Sequence, residues 1–247
     1  MNADFCGISS ALVAVSGGVD SSVLLHLAKE AGIRTEAACV VSEFTAESDI
    51  HAAESAAQRE DVPFHLLQIS LLKHPEIAQN TPNRCYLCKK RMAAELTAFA
   101  EKRGLSAVLE GTNADDGIRP GLLALKEAGV KSPLISVSKK EICDAAKTFG
   151  IPTPPPSACL ATRIPYGTPL RKELLLLAGR AESLLRTAGV TGILRVRLKN
   201  PHEAVVEIED AAQYSAKYFE EKLTIIGIEN VSVKKYICGG AEWINRQ

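Results

Sequence analysis

The chain has 247 residues, of which 46% are hydrophobic, and its 29 basic residues balance 29 acidic residues to a formal net charge of zero. This composition suits a globular protein with one large domain or a large and a small one, and it lacks the basic stripe of a nucleic-acid-binding chain. No apolar run approaches the ~20 residues of a membrane span, and the N-terminus lacks a basic segment followed by an apolar one, so we expect a cytoplasmic protein with no membrane or nucleic-acid partner.

Strand-like and helix-like segments alternate over the first 150 residues. The predicted strands are 11–15, 36–41, 64–69, 107–109 and 134–137, and the predicted helices are 19–31, 45–60, 86–103, 121–128 and 139–149. This alternation predicts an α/β fold in which helices cover both faces of a parallel sheet. Ligands of such sheets bind at the carboxyl ends of the strands, so the loops at that edge are the first place to look for function.

The first predicted strand runs into a short glycine- and serine-rich turn, Ser16-Gly17-Gly18-Val19-Asp20-Ser21-Ser22. Glycines allow the backbone to approach a ligand closely, and the N-terminus of the helix that begins here points N–H groups at an anion. The serines add hydroxyl donors, and Asp20 can cap the helix or hold Mg²⁺. The alternative is an ordinary turn of small residues, since the spacing matches neither the Walker nor the dinucleotide-binding glycine pattern.

A second polar loop, Glu110–Asp116, follows the fourth predicted strand. Its adjacent carboxylates and its asparagine can hold Mg²⁺ and hydroxyl groups near a triphosphate, although Asn and Asp also favour a plain solvated turn. Because both loops lie at one sheet edge, we favour the functional interpretation. Lys139 and Lys140 open a later helix and can reach phosphates, but a charged first turn is the commoner explanation.

Four prolines between Ile151 and Cys159 change the character of the chain, because proline fixes an extended path that is not helical. We therefore divide the chain into a nucleotide-binding domain, 1–164, and a smaller α+β domain, 165–247. The predicted elements of the smaller domain are a helix over 171–188, a hairpin of 193–199 and 204–209, a helix over 211–223 and a strand over 228–236.

The hairpin of the smaller domain carries two alternating arginines. Arg195 and Arg197 face the same side of one strand, and Glu207 on the other strand can pair with one of them. Two guanidinium groups on one face suit a phosphate or dicarboxylate substrate. The alternative is a solvated strand face.

The seven cysteines fall into two groups. We expect Cys6, Cys39, Cys143 and Cys238, which are isolated in the sequence, to be packed thiols rather than ligands. Cys85 and Cys88 form a C-x-x-C pair that can bind one metal centre or form a redox dithiol, and Cys159 lies on the proline-rich segment. A zinc site made of two C-x-x-C pairs is excluded because the chain holds one such pair. A thioredoxin-type site needs the pair at the start of its own βαβ unit, which the preceding sequence does not provide.

The turn Ser16-Gly-Gly-Val-Asp-Ser21 resembles the PP-loop of ATP pyrophosphatases, and Gly111-Thr-Asn-Ala-Asp-Asp116 resembles the second motif of these enzymes. The resemblance implies that the protein binds ATP with Mg²⁺ and releases pyrophosphate while it adenylates a substrate. The residues that it implies in nucleotide binding are Ser16, Gly17, Gly18, Val19, Asp20, Ser21, Ser22, Val41, Gly111, Thr112, Asn113 and Asp116.

Nearly the whole chain resembles the LarE family of PP-loop sulfur transferases. The resemblance is carried by Ala158-Cys-Leu-Ala-Thr-Arg-Ile-Pro-Tyr-Gly167 after a proline-rich run, together with Asn83–Tyr86, Arg119–Gly121 and Arg195–Arg197. It implies that ATP adenylates a carboxylate of a pyridinium biscarboxylate mononucleotide and that sulfur then displaces AMP to give a thiocarboxylate. Arg195, Arg197 and Glu207 would bind this small-molecule nucleotide substrate. We also expect a separate sulfur donor and a homo-oligomer.

This family has two sulfur sources. One type sacrifices the loop cysteine, here Cys159, and the other uses three cysteines to hold a 4Fe-4S cluster. Cys85, Cys88 and Cys159 match the second type and would leave one iron open, so we expect the cluster. Two alternatives stay open: a different PP-loop enzyme such as a tRNA thiolase, which the balanced charge disfavours, and a nucleotide or redox sensor that is not an enzyme.

Overall fold

The computed structural model describes residues 3–117 and 119–237, which form two compact units. In chain order the elements are β1 (Ser10–Ala14), α1 (Val19–Glu30), β2 (Arg34–Val41), α2 (Glu47–Arg59), β3 (Phe64–Gln68), α3 (Pro75–Ala78), α4 (Arg84–Lys102), β4 (Ala107–Leu109), α5 (Pro120–Glu127), α6 (Lys139–Thr148), α7 (Lys172–Thr187), β5 (Leu194–Asn200), β6 (Glu203–Ile208), α8 (Ala216–Leu223) and β7 (Asn230–Lys235). Among the described helices, none combines the length and the apolar character needed to cross a membrane.

The first unit, residues 3–69 and 83–154, is built on a four-stranded sheet in the order β3-β2-β1-β4. All neighbouring strands are parallel. Helices α1, α2 and α6 share one apolar cluster with the sheet, and helices α4 and α5 share the other. The predicted α/β fold with a parallel sheet is therefore confirmed.

Strand β1 shows why this sheet needs helices on both faces. Ala11 and Val13 pack into the cluster that contains α1, whereas Leu12 packs into the cluster that contains α4. All three side chains are fully buried. Because successive side chains of a strand point to opposite faces, an unbroken apolar run is stable only when each face is covered.

The predicted fifth strand at 134–137 is wrong. This segment is a turn in the structure, in which the Val137 N–H donates to the Leu134 carbonyl at 2.9 Å. Pairing with β4 is limited to an isolated bridge between Leu109 and Lys131, since Pro133 lacks the N–H needed to continue a ladder. Leu134 and Val137 are nevertheless buried in the core, which explains why their pattern resembled a strand.

The second unit, residues 70–82 and 155–237, contains a three-stranded sheet in the order β5-β6-β7. Strands β5 and β6 form the predicted antiparallel hairpin, with Arg195 opposite Glu207, and β7 runs parallel to β6. The predicted helix over 211–223 is shorter than expected. A 3₁₀ turn covers Ala211–Gln213, and α8 begins after Ser215, whose hydroxyl accepts a hydrogen bond from the Tyr218 N–H at 3.2 Å.

The boundaries of the second unit differ from the predicted division after residue 164. They include residues 155–164 in this unit and add the segment 70–82. The fully buried Asn80 accounts for part of this, because its amide donates to the carbonyls of Pro165 at 2.7 Å and Thr168 at 3.0 Å. This link joins residues more than 80 positions apart in sequence, so the local pattern does not reveal it.

Candidate functional site

The turn between β1 and α1 contains two glycines with different constraints. Gly17 has a φ of +78°, and a Cβ added there would lie 2.6 Å from the Asp49 carbonyl oxygen. The fold therefore requires glycine at this position. At Gly18, the N-cap of α1, the nearest atom to an added Cβ is Ser16 Oγ at 3.6 Å. The protein itself thus leaves room for a side chain at Gly18, and it provides no side-chain cap for the first turn of α1.

The hydroxyls of Ser21 and Ser22 are used within the turn. Both side chains are buried, and each hydroxyl donates to the Gly18 carbonyl at 3.0 Å. The Ser16 N–H in turn donates to Ser21 Oγ at 3.2 Å, while the Ser16 side chain is exposed. Backbone N–H groups and Ser16 are therefore better placed to meet an anion than the two buried serines. A direct ligand role for any of them stays a prediction.

Asp20 is the meeting point of three segments of the first unit. Lys139 Nζ, at the first residue of α6, contacts Asp20 Oδ1 at 2.7 Å and Oδ2 at 2.6 Å. Asn113 Nδ2, from the loop after β4, donates to Asp20 Oδ1 at 3.3 Å. The Lys139 and Asp20 side chains are 40% and 26% exposed, so solvent and ligands can reach this pair.

The loop after β4 lies directly against the start of α1. A Cβ added at Gly111 would be 2.9 Å from the Ser21 backbone nitrogen, so only glycine allows this approach. Asn113 and Asp116 then form a capping box: the Asp116 carboxylate accepts from the Asn113 N–H at 3.0 Å, and the Asn113 side-chain oxygen accepts from the Asp115 N–H at 2.9 Å. The loop is thus rigidly shaped around the residues predicted to bind the nucleotide.

Glu110, the first residue of the same loop, holds it through side-chain hydrogen bonds. Its carboxylate accepts hydrogen bonds from the Thr112 N–H at 3.1 Å, from the Thr112 hydroxyl at 2.7 Å and from the Ser132 hydroxyl. Thr112 is buried, so this predicted nucleotide ligand has its hydroxyl committed within the protein. Val41, also predicted to bind the nucleotide, is half-buried at the carboxyl end of β2.

The C-x-x-C pair lies in the first turns of α4. Cys85 is exposed and Cys88 is half-buried, and their spacing of three residues puts them on one face of the helix. The start of α5 packs closely against Cys85 and Lys89, because a Cβ added at Gly121 would lie 3.3 Å from Cys85 Sγ and 3.0 Å from Lys89 Cγ. The two thiols of this pair therefore lie on one helix face near the start of α5.

Cys159 is exposed in the second unit, immediately before a 3₁₀ turn at Leu160–Arg163. The two arginines of β5 contact this segment. Arg195 donates to the Pro156 carbonyl, and Arg197 donates to the Thr162 carbonyl at 2.6 Å. Both guanidinium groups therefore contact the cysteine-bearing segment. That Arg195 and Arg197 bind substrate stays a prediction.

Buried charges surround this part of the second unit. Arg197 Nε lies 2.9 Å from Glu207 Oε2, yet neither atom has a well-aligned hydrogen bond, so the attraction is ionic and the geometry is poor. Burial lowers the pKa of Arg195, and the positive charge of Arg163 lowers it further. Arg163, Arg195 and Arg197 outnumber the neighbouring Glu182 and Glu207, so a bound anion would balance the excess positive charge.

Within residues 3–117 and 119–237, no group of three or more His, Cys, Asp or Glu side chains is arranged to hold a metal ion. The three-cysteine cluster therefore stays a prediction from the sequence. Of the isolated cysteines, Cys39 is buried as expected, and burial raises the pKa of its thiol to about 11. Cys6 is exposed, so the packed-thiol prediction is wrong there, and Cys238 lies outside the described residues.

Three side chains make contacts that the sequence pattern did not predict. Lys139 lies in the predicted first turn of α6 and also contacts Asp20. Glu110 stands directly after a strand and before a glycine, which is a usable signal for a loop anchor. Nothing near Arg163 in sequence indicates its ion pair, because the partner carboxylate, Glu182, is 19 residues away on α7.

Comparisons with known proteins found a matching family model and several similar proteins. The family model of the queuosine biosynthesis protein QueC matches residues 10–82. The chain is 35% identical over 200 residues to the uncharacterized protein slr1717 of Synechocystis sp., covering 78% of this chain and 74% of that protein. It is 36% identical over 222 residues to the uncharacterized protein MJ0830 of Methanocaldococcus jannaschii, covering 87% and 82%.

Two further similarities are more distant. The tRNA-cytidine(32) 2-sulfurtransferase of Bdellovibrio bacteriovorus is 26% identical over 170 residues, which cover 60% of this chain and 66% of that enzyme. The glutamine-dependent NAD+ synthetase of Acinetobacter baumannii, solved in complex with ADP, superposes with a TM-score of 0.50 at 22% identity. That similarity covers 57% of this chain but only 29% of the synthetase chain, and it concerns the fold alone.

Proposed function

Because the chain belongs to the PP-loop ATP pyrophosphatase superfamily and to the family of slr1717 and MJ0830, we propose that it is an ATP-dependent sulfur transferase. The proposed substrate is pyridinium-3,5-biscarboxylate mononucleotide. The sulfurtransferase relative of Bdellovibrio supports the reaction class, and the resemblance of the Cys159 segment to the LarE family supports the substrate.

The proposed reaction has two steps. A carboxylate oxygen of the substrate attacks the α-phosphorus of ATP, and the bond to pyrophosphate breaks. A sulfur nucleophile at the sulfide oxidation level then attacks the activated carbonyl carbon, and the carbon–oxygen bond to AMP breaks to leave a thiocarboxylate. Activation is needed because oxide is a very poor leaving group, whereas AMP is a competent one.

The observation that carries the first step is the arrangement around Asp20. The open position at Gly18 leaves space for a ligand at the N-terminus of α1, where helical N–H groups favour phosphate. Asp20 and Asp116 have the oxygen chemistry that Mg²⁺ prefers, and a bound Mg²⁺ would neutralise phosphate charge. Lys139, now on Asp20, can shift to a phosphate oxygen when the carboxylate binds the cation instead.

The thiols of Cys85, Cys88 and Cys159 support the second step, because thiolates are the ligands of iron–sulfur clusters. We propose that they bind a 4Fe-4S cluster, which when bound would supply an exchangeable sulfide. Exposure of Cys85 and Cys159 and partial exposure of Cys88 keep all three available for this role. The alternative source is Cys159 itself, which would give up its sulfur and become dehydroalanine.

Anaerobic purification followed by iron, sulfide and intact-mass analysis tests the sulfur source. We expect Cys85→Ala, Cys88→Ala and Cys159→Ala each to lose most of the iron, while the control Cys143→Ala keeps it. The protein mass should stay constant after turnover with added sulfide. A metal-free anaerobic protein that loses the mass of hydrogen sulfide from Cys159 would establish the sacrificial route instead.

Pyrophosphate release tests the substrate. With MgATP, we expect release to require the pyridinium biscarboxylate mononucleotide and a thiocarboxylate to form in equal amount. Release without any product containing sulfur would overturn sulfur transfer, and nucleotide binding without any release would indicate a sensor.

A tRNA substrate is the second candidate, and the similarity to the Bdellovibrio enzyme favours it. The formal net charge of zero disfavours it, because phosphate recognition in RNA generally needs clustered basic residues. The same assay with unmodified tRNA separates the two: thiolated cytidine supports this candidate, and its absence alongside thiocarboxylate formation rejects it.

A further inference from the structure

Arg163 carries a charge, yet its side chain is only 2% exposed. We propose that Arg163, held by Glu182, is a positioning residue that fixes the backbone of Cys159 for sulfur delivery. This inference rests on the proposed function, in which Cys159 takes part in sulfur transfer. It assigns to the Arg163–Glu182 pair a task in the second step alone, separate from ATP use.

The orientation of the Arg163 guanidinium is set by α7 and β5. Its Nε and Nη2 donate to the two carboxylate oxygens of Glu182 at 2.7 and 3.0 Å, which is a bidentate contact. Glu182 also accepts from the Val196 N–H of β5 at 2.9 Å. A planar guanidinium held at two points has little rotational freedom left, so its third side points in a fixed direction.

That third side, Nη1, faces the cysteine segment. It donates to Thr162 Oγ1 at 2.7 Å and to the Ala158 carbonyl at 3.0 Å, with a longer contact to the Cys159 carbonyl at 3.4 Å. Thr162 Oγ1 donates in turn to the Cys159 carbonyl at 2.8 Å. The Ala158 and Cys159 carbonyls flank the Cys159 nitrogen and Cα, and both are thereby tied, directly or through Thr162, to one buried cation.

The segment needs such an external anchor because of its composition. Residues 152–159 are all exposed, and Pro152, Pro154, Pro155 and Pro156 have no N–H with which to form a turn. The chain becomes buried at Leu160, directly after the cysteine. Cys159 therefore sits at the last exposed position before a clamped turn, so its thiol is accessible while its backbone is fixed.

A fixed backbone matters for group transfer, since a misplacement of 1 Å at a reacting atom can reduce a rate by about a hundredfold. The bidentate contact cannot be reproduced by lysine, which is a point charge on a flexible stem. Arg163→Lys keeps the positive charge but removes the bidentate guanidinium contact, and so separates positioning from electrostatics. Arg180→Lys, an exposed position on the same helix as Glu182, is the matched control.

The test measures hydrogen–deuterium exchange and the two half-reactions in the full-length protein. In Arg163→Lys we expect faster exchange in peptides covering 157–163, with β5 unchanged, and both regions unchanged in Arg180→Lys. In a single turnover, the pyrophosphate-release step should keep its rate constant, whereas thiocarboxylate formation should slow by about tenfold or more. In Arg163→Ala, added ethylguanidinium should restore part of the sulfur transfer.

Unchanged exchange at 157–163, or an equal fall in both half-reactions, would overturn the positioning role. If Arg163→Lys does not fold, Glu182→Gln decides, because it keeps an acceptor for Val196 while weakening the hold on Arg163. It should then raise exchange at 157–163 and slow sulfur transfer, and normal values for both would reject the inference. If the wild-type protein transfers no sulfur, the proposed function fails. The exchange comparison then still shows whether Arg163 fixes the backbone at 157–163.

Discussion

Lys139 Nζ lies 2.7 and 2.6 Å from the two carboxylate oxygens of Asp20, so the first turn of α6 is joined to the first turn of α1 by an ion pair. The two residues are 119 positions apart in sequence. The lysine neutralises a carboxylate at the edge where phosphates are proposed to bind. In the proposed function, Asp20 would exchange this contact for Mg²⁺ and Lys139 would exchange it for phosphate.

Breaking this pair should impair ATP use far more than folding. Asp20→Asn and Lys139→Met should each change the free energy of unfolding in urea by less than about 1 kcal/mol, because exposed pairs contribute little. Pyrophosphate release should fall by about tenfold or more in both variants, since charges that hold phosphate act strongly on the transition state. Lys147→Met is the control, because its pair with Asp144 at 3.6 Å lies on the exposed side of α6. Wild-type pyrophosphate release in both test variants would contradict the assignment.

Alanine at Gly18 should reduce ATP affinity, whereas alanine at Gly111 should reduce stability. Gly18→Ala meets no protein atom closer than 3.6 Å, so it should fold normally and lose ATP affinity if the space holds the nucleotide. Gly111→Ala places a Cβ 2.9 Å from the Ser21 nitrogen and should lose about 1–3 kcal/mol of stability through overpacking. Urea denaturation and titration calorimetry with ATP measure the two effects. Normal ATP binding by Gly18→Ala would rule out a nucleotide at this position.

Glu207 should be needed mainly as the counter-charge of Arg197. Replacing it alone, as Glu207→Leu, leaves a buried cation unpaired and should cost about 3–5 kcal/mol in the free energy of unfolding. The double variant Arg197→Met with Glu207→Leu should recover much of this loss, because no buried charge then remains unpaired at that point. Urea denaturation of the two single variants and the double variant checks the coupling. Simple additivity of the two changes would show that the 2.9 Å contact has no energetic consequence.

Acid stability should depend on Glu36. Burial raises the pKa of this carboxyl, but hydrogen bonds from Arg103 and His65 outweigh burial and hold the pKa below its ordinary value. The stabilisation is thus fully present above the ordinary carboxyl pKa and is lost as pH falls through the lowered pKa of the folded protein. In Arg103→Met the loss should begin at a higher pH, as measured by urea denaturation over a pH series, whereas the exposed control Arg59→Met should follow wild type. Coincident profiles for all three proteins would refute this role of Arg103.

Local sequence was sufficient for much of the fold. The apolar run of β1 and the glycines of the following turn predict a strand, a sharp turn and a helix, because these depend on side-chain periodicity and on backbone conformations within a few residues. The alternation of Arg195 and Arg197 predicts that both lie on one face of a hairpin strand, and the register with Glu207 agrees. Such features are set by near neighbours, so no long-range information was needed.

Long-range packing decided the rest. Leu134 and Val137 have a strand-like pattern, but the proline at 133 and the single bridge at Lys131 make the segment a buried turn. Likewise, a charged first turn and a charge on a loop are ordinary on a surface, and only the folded chain brings Lys139 to Asp20 and Glu182 to Arg163. Sequence thus determined which chemical groups lie at the ends of the strands and on the cysteine-bearing segment. Tertiary structure determined which of them face each other, because ion pairs form between side chains that are close in space, whatever their separation along the chain.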